Sequence, residues 1–197
     1  TLRGAVNGVG NSTYGGINYL DKLISIENVM GSAGNDTIQG NEENNTLDGS
    51  TGNNTVSYSG ALGSVSVDLG LQGQSQNTIA DGFDNLSNFQ NLIGSSYSDT
   101  LKGDANTNII SGGAGDDVIY GIGGSNYLYG GLENDTFIGK LTGNDFIDGE
   151  SGNDKVDYSN LSSANSITVN LGTTTTRADE QGNLQTVYEI SKKDGAS

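Results

Sequence analysis

Apolar residues are few in this chain, but along two stretches they recur at a fixed interval of nine. The longer series runs Leu101, Ile110, Ile119, Leu128 and Phe137, then Ile147 and Val156 after one extra residue. Two places ahead of each stands an Asp or Asn: Asp99, Asn108, Asp117, Asn126, Asp135, Asp145 and Asp154. A shorter copy upstream sets Asp36, Asn45 and Asn54 ahead of Ile38, Leu47 and Val56. A nine-residue unit with a Gly-rich first half and an apolar-centred second half is too short for a helical hairpin and suits one loop and one short strand. Two units then make one coil of a flattened, right-handed parallel β-solenoid, with the middle residue of each strand facing inward. The predicted fold class is all-β, a β-roll with β-rich spacer segments.

The units begin at Gly31, Gly40 and Gly49 in the short array, and at Gly94, Gly103, Gly112, Gly121, Gly130, Lys140 and Gly149 in the long one. This divides the chain into a partial spacer over 1–30, a short array over 31–57, a spacer over 58–93, the main array over 94–157 and a partial spacer over 158–197, expected to form one continuous solenoid. Val56-Ser57-Tyr58-Ser59 recurs as Val156-Asp157-Tyr158-Ser159, so the chain reads as about two rounds of a spacer-plus-array unit. It begins Thr-Leu-Arg without Met and is read as an excerpt of a larger protein. Alternation of Val65, Val67 and Leu69, and of Ile167, Val169 and Leu171, predicts spacer strands with one buried face. Asp81-Gly82-Phe83-Asp84-Asn85 looks like a turn, and Asn85 to Ile93 suits either a short helix or a further strand. Asp68, Asp81 and Asp84 read as ordinary turn or surface acids.

Strands on successive coils lie about 4.8 Å apart, so units two apart in sequence stack directly. The polar slot is thereby sorted into two columns. One holds Asp99, Asp117, Asp135 and Asp154; the other holds Asn108, Asn126 and Asp145. Two carboxylates at that spacing repel by roughly 1 kcal/mol in water and about 3–4 kcal/mol at an effective dielectric of 20. A column of four opposes folding unless a cation lies between its members. Calcium suits the place, since it accepts six to eight oxygens at loose geometry and Gly-rich loops can turn carbonyls toward it. Up to three ions are expected, between Asp99 and Asp117, Asp117 and Asp135, and Asp135 and Asp154. The last pair is separated by one extra residue near Lys140. Asn ligates through its amide oxygen without adding charge, so the second column should bind weakly or not at all, and the short array offers at best one site, from Asp36 and Asn54.

Composition narrows the alternatives. Apolar residues make up only 32% of the 197, so order must come from their placement rather than their number. A net charge of −16, from 24 acids against 8 Lys and Arg, makes nucleic acid or an anionic membrane a poor partner. Cys, His and Trp are absent, which excludes disulfides, thiolate chemistry and ordinary zinc or copper sites. No apolar stretch reaches membrane-spanning length, so membrane insertion by this segment is not expected.

At these residues the sequence resembles the nonapeptide-repeat (RTX, haemolysin-type) calcium-binding family. Gly112-Gly113-Ala114-Gly115-Asp116-Asp117-Val118-Ile119-Tyr120 satisfies every slot of that family's Gly-Gly-x-Gly-x-Asp-x-apolar-x motif. Neighbouring units depart from it: Asn126 replaces Asp, Glu133 replaces the second-half Gly, and Lys140 replaces the first Gly. The resemblance implies binding of several calcium ions, export through a type I system and folding outside the cell. It points to a structural module of a large secreted or cell-surface bacterial protein of adhesin or S-layer type. The alternative is a noncatalytic C-terminal module of a secreted enzyme or toxin such as an alginate epimerase, protease or haemolysin. Intrinsic catalysis is not expected, because there is no His and the cations are scattered. A monomer is expected. Outward strand positions Ile109, Tyr127, Tyr129 and Phe146 form an apolar stripe that could meet a polysaccharide or another protein, or lie beneath a neighbouring segment.

Overall fold

The computed structural model describes residues 25–140 and 142–162 in full and the backbone of 7–8, 166–178 and 184–193. In chain order the strands are β1 (Asn7–Gly8), β2 (Asn28–Met30), β3 (Asp36–Gln39), β4 (Thr46–Asp48), β5 (Thr55–Ser57), β6 (Ser66–Asp68), β7 (Ser75–Ile79), β8 (Gly82–Ser87) and β9 (Asn91–Ile93). The main array supplies β10 (Thr100–Lys102), β11 (Ile109–Ala114), β12 (Val118–Tyr120), β13 (Tyr127–Leu132), β14 (Thr136–Ile138), β15 (Phe146–Ser151) and β16 (Lys155–Asp157). The long antiparallel strands β17 (Ser166–Ala178) and β18 (Leu184–Lys193) follow. Among the described residues the one helical element is a 3-10 turn at Leu69–Leu71.

The arrays wind into a parallel β-solenoid of about seven turns. One face is a sheet in the order β1-β3-β5-β9-β11-β13-β15, parallel from β3 onward. The other face carries β2-β4-β8-β7 and β6-β10-β12-β14-β16, joined by an antiparallel bridge between Val65 and Ile79. The register follows the nine-residue period. Leu101 lies beside Ile119 and Ile119 beside Phe137 on one face, with Ile110 beside Leu128 on the other. All five are at most 1% exposed and form the spine of the core together with Leu92, Val56, Leu47 and Ile38. At about 1.5–3 kcal/mol per buried aliphatic side chain, this single file of residues is the main drive to fold.

The extra residue near Lys140 leaves both ladders intact. Leu128 still pairs with Ile147 and Phe137 with Val156, so the loop before β15 absorbs it.

The spacer over 58–93 departs from the simple coil. β6 runs parallel to β10, β7 turns back antiparallel to β8, and β8 resumes the parallel register against β4. Val65, Val67 and Leu69 are buried as the alternation predicts. The open choice at 85–93 resolves to strands, β8 and β9, with a break at Asn88 where φ is 59°. The turn lies earlier than expected, between Ile79 and Gly82, so Phe83 to Asn85 belong to β8. β17 contains the Ile167-Val169-Leu171 alternation, whose side chains lie outside the described residues. Tyr127 and Tyr129 pack on Phe146 at ring-centroid distances of 6.1 and 6.0 Å, and Phe146 is only 4% exposed, so this part of the outward stripe is covered.

Candidate metal centre

In the main array each polar-slot residue sits at the last loop position before a strand, two places ahead of a residue of the apolar spine. Asp99, Asp117 and Asp135 are 1–2% exposed, and Asp154 is half-buried. Their carboxylates form a ladder: Asp99 N–H donates to Asp117 Oδ1 at 2.8 Å, Asp117 N–H to Asp135 Oδ1 at 2.9 Å, and Asp135 N–H to Asp154 Oδ1 at 2.9 Å. Val65 of the spacer starts it by donating to Asp99 Oδ1 at 2.7 Å. The structure thus brings the four carboxylates together in one file, and the Asp135–Asp154 step keeps the geometry of the others.

The second oxygens differ. Asp99 Oδ2 accepts the Ser95 N–H at 2.5 Å. Asp117 Oδ2 and Asp135 Oδ2 are buried and have no hydrogen-bond partner. In those units the residue matching Ser95 is Gly113 or Gly131, with φ of 116° and 120°, a backbone state that L side chains rarely adopt. The first glycine of each unit lies against these oxygens. A methyl group on Gly112 would meet Asp117 Oδ2 and come within 2.5 Å of Gly130 O; one on Gly130 would meet Asp135 Oδ2 and come within 2.8 Å of Gly149 O. One on Gly94 would meet Gly112 O and lie 2.5 Å from Asp99 Oδ2. Carboxylate and carbonyl oxygens therefore converge at Gly94, Gly112 and Gly130, the first-position glycines of the Asp99, Asp117 and Asp135 units.

Electrostatics sharpen the picture. Burial, with repulsion from Asp99, Asp135 and Asp116, raises the Asp117 carboxyl to about 7 against the pull of the Asp99 N–H. Burial likewise raises Asp99 and Asp135, and Asp154 adds to the rise at Asp135. An unpaired buried carboxylate is costly, and the remedies are protonation or a cation. The donor set fits calcium, which takes carboxylate and carbonyl oxygens together. Among the described residues no three acidic side chains meet at one point, so carbonyls must complete any such shell.

The other column is longer than the sequence indicates. Asp36, Asn54, Gln90, Asn108, Asn126 and Asp145 stand in one file, joined by Asp36 N–H to Asn54 Oδ1, Asn54 N–H to Gln90 Oε1, Asn108 N–H to Asn126 Oδ1 and Asn126 N–H to Asp145 Oδ1, all at 2.8–2.9 Å. Here the amides satisfy the loops themselves. Asn126 Nδ2 donates to Gly121 O and Gly123 O, Asn108 Nδ2 to Gln90 O, and Asn54 Nδ2 to Asn88 O. Asp36 accepts from Ser32 N–H and Oγ–H. A third, short file contains Asn45 and Asp84. Asp84 is fully buried, contrary to the expectation of a surface acid, because β8 places it in the polar slot under Asn45. Its carboxylate accepts Asn45 N–H at 3.0 Å and Tyr58 O–H at 3.0 Å, and burial raises its carboxyl to about 6.

A further set of residues escaped the reading of the sequence. The position before the polar slot carries a second ladder of opposite sense, in which Asn53 N–H donates to Asn35 Oδ1, Asp116 N–H to Ser98 Oγ, Asn134 N–H to Asp116 Oδ1 and Asn153 N–H to Asn134 Oδ1. The signal was present: Asn35, Asn44, Asn53, Ser98, Thr107, Asp116, Ser125, Asn134, Asn144 and Asn153 are all short acceptors.

A family model described as the RTX calcium-binding nonapeptide repeat matches in four copies, over residues 25–57, 90–119, 103–137 and 141–160, just over half of the chain. No curated protein matches it.

Proposed function

Since the chain belongs to the RTX calcium-binding nonapeptide-repeat family, we propose that it is a noncatalytic, calcium-stiffened segment of a large exported protein of adhesin or surface-layer type. RTX repeats bind Ca2+ ions, and calcium supplies here the positive charge that a file of buried carboxylates lacks. Asp117 and Asp135 would be the principal ligands, with Asp99 and Asp154 at the flanks and carbonyl oxygens of Gly112, Gly130 and Gly149 beside them. The single observation that carries this assignment is the pair of buried, partnerless oxygens, Asp117 Oδ2 and Asp135 Oδ2. Asp145, Asn126, Asn108, Asp36 and Asn54 would contribute little, because hydrogen bonds and an ion pair already engage them. The spacer over 58–93 would serve as a joint holding the short and main arrays in one solenoid, and the segments at 1–30 and 158–197 as partial spacers of the same kind. Export and extracellular folding follow from the family's habit, since calcium there is plentiful enough to drive the transition.

The test is a calcium titration of the chelated protein, followed by far-UV circular dichroism with ions counted by calorimetry. A coil-like signal without metal and a β signal with it are expected, with loss of bound ions in Asp117→Ala and Asp135→Ala. Equal β signal in strong chelator would remove the coupling between metal and fold.

A further inference from the structure

Where the Asn column meets the extra residue, a lysine stands at a cation's place. Lys140 occupies the first position of its unit, where six of the other units of the main array carry Gly. Its side chain is only 12% exposed, and its ammonium donates to Gly123 O at 2.5 Å and Gly124 O at 3.2 Å and pairs with Asp145 Oδ1 at 3.0 Å. Two loop carbonyls of the unit beginning at Gly121 and a carboxylate of the lysine's own unit form the kind of oxygen set that the acidic column offers to calcium. A methyl group on Gly121 would lie 2.6 Å from Asn126 Nδ2 and 3.4 Å from Lys140 Nζ, so nitrogen stands here where the acidic column places oxygen. We propose that the Lys140 ammonium is the resident cation of the Asn126–Asp145 rung, a tethered charge that takes the place a calcium ion would fill on this rung.

The chemistry supports the substitution. An ammonium has three N–H donors and one positive charge, and three acceptors surround it here. A rung with one carboxylate and one amide needs one compensating charge, whereas neighbouring carboxylates of the acidic file call for two. The amide of Asn126 completes the replacement by donating to Gly121 O and Gly123 O and to Asp145 Oδ1, the carboxylate oxygen that the ammonium also holds. The extra residue near Lys140 leaves the register of β14 and β15 unchanged. Its effect is confined to the loop that carries the lysine.

This inference rests on calcium filling the acidic column, and the ion count of the unaltered chain tests that premise separately. Ions per chain would be counted by mass spectrometry in millimolar calcium for wild type, Asn126→Asp, and Asn126→Asp combined with Lys140→Gly, each checked by circular dichroism. Asn126→Asp alone should bind no more calcium than wild type, because the ammonium holds the place. The paired variant should bind one ion more. A gain of one ion in Asn126→Asp alone, no gain in the pair, or a pair that fails to fold in calcium would each overturn the proposal. Lys140→Met, which keeps the stem and removes the charge, should lower the melting temperature in saturating calcium; an unchanged melting temperature would also sink it.

Discussion

The two long files of this solenoid share the same coils, spacing and slot, yet they answer the same physical problem in opposite ways. In the file from Asp99 to Asp154, Asp117 and Asp135 leave buried oxygens without a partner, while Asn54 to Asp145 turn amide nitrogens and one lysine onto the loop carbonyls. The difference between Asp and Asn is a single heavy atom, and on the proposed reading it separates a loop that takes a metal from one that satisfies itself. Because both files stiffen the same coils, the amide side can hold the register of each coil while the acidic side makes final closure conditional. Asp84 offers a third answer, a buried carboxylate served by the Tyr58 hydroxyl and the Asn45 amide.

The coarsest way to break the comparison is to remove calcium. Binding free energy at such sites is folding free energy, so a strong chelator should strip hydrogen-exchange protection from the amides of Asp117 and Asp135. The Asn126 amide, on the same coils, should lose protection with them; an Asn126 amide that stayed protected would show that the two files open separately.

Next in size is the titration of Asp84. Its carboxyl lies near 6 in the folded chain against an ordinary 3.8, so folding takes up a proton between those values. The burial penalty, about 3 kcal/mol for a shift of that size, is fully present above pH 6 and fades as the pH falls toward 4. Stability measured by denaturant titration should therefore gain with acidification in wild type relative to Asp84→Asn, and parallel curves would show that the hydroxyl and amide already offset the charge.

Asp117→Asn converts one rung of the acidic file to the amide type. It should lower the ion count while raising the stability of any folded metal-free population by about 1–3 kcal/mol, the cost of an unsatisfied buried acceptor. Residual β signal in chelator should rise, while the melting temperature in calcium should fall. The smallest effect belongs to Ile122, a half-exposed β-branched residue at φ 61° in the loop of the amide side. Ile122→Gly should stabilise by about 1 kcal/mol, since the left-handed backbone costs roughly that much for an L side chain. A calcium-independent gain in melting temperature would be the readout.

The period of nine made the parallel coils, the inward spine from Leu101 to Phe137 and the grouping of Asp99, Asp117, Asp135 and Asp154 legible from sequence, because stacking follows from spacing alone. What stayed hidden depended on atoms that the spacing does not specify. Gln90 lies outside any nonapeptide, yet it carries the amide file across the spacer because its longer side chain reaches the Asn54 N–H. Asp84 looked like a turn acid because Gly82 precedes it closely, but the turn closes at Gly82 and the strand begins there. The ladder through Asn35, Asp116 and Asn134 is written in plain short acceptors, which serve equally as ordinary turn formers, so their presence alone does not reveal the pairing.

Strand β6 has a further consequence for the order of assembly. In a regular solenoid each new strand lands on a template already laid down, as β5 lands on β3. β6 emerges before both of its neighbours, β7 and β10, and finds nothing to copy. On this face growth cannot run as an unbroken zipper, whereas on the other β9 lands on β5 and β11 on β9 without a gap. Across residues 58–93 the template is handed from the short array to the long one by a single face.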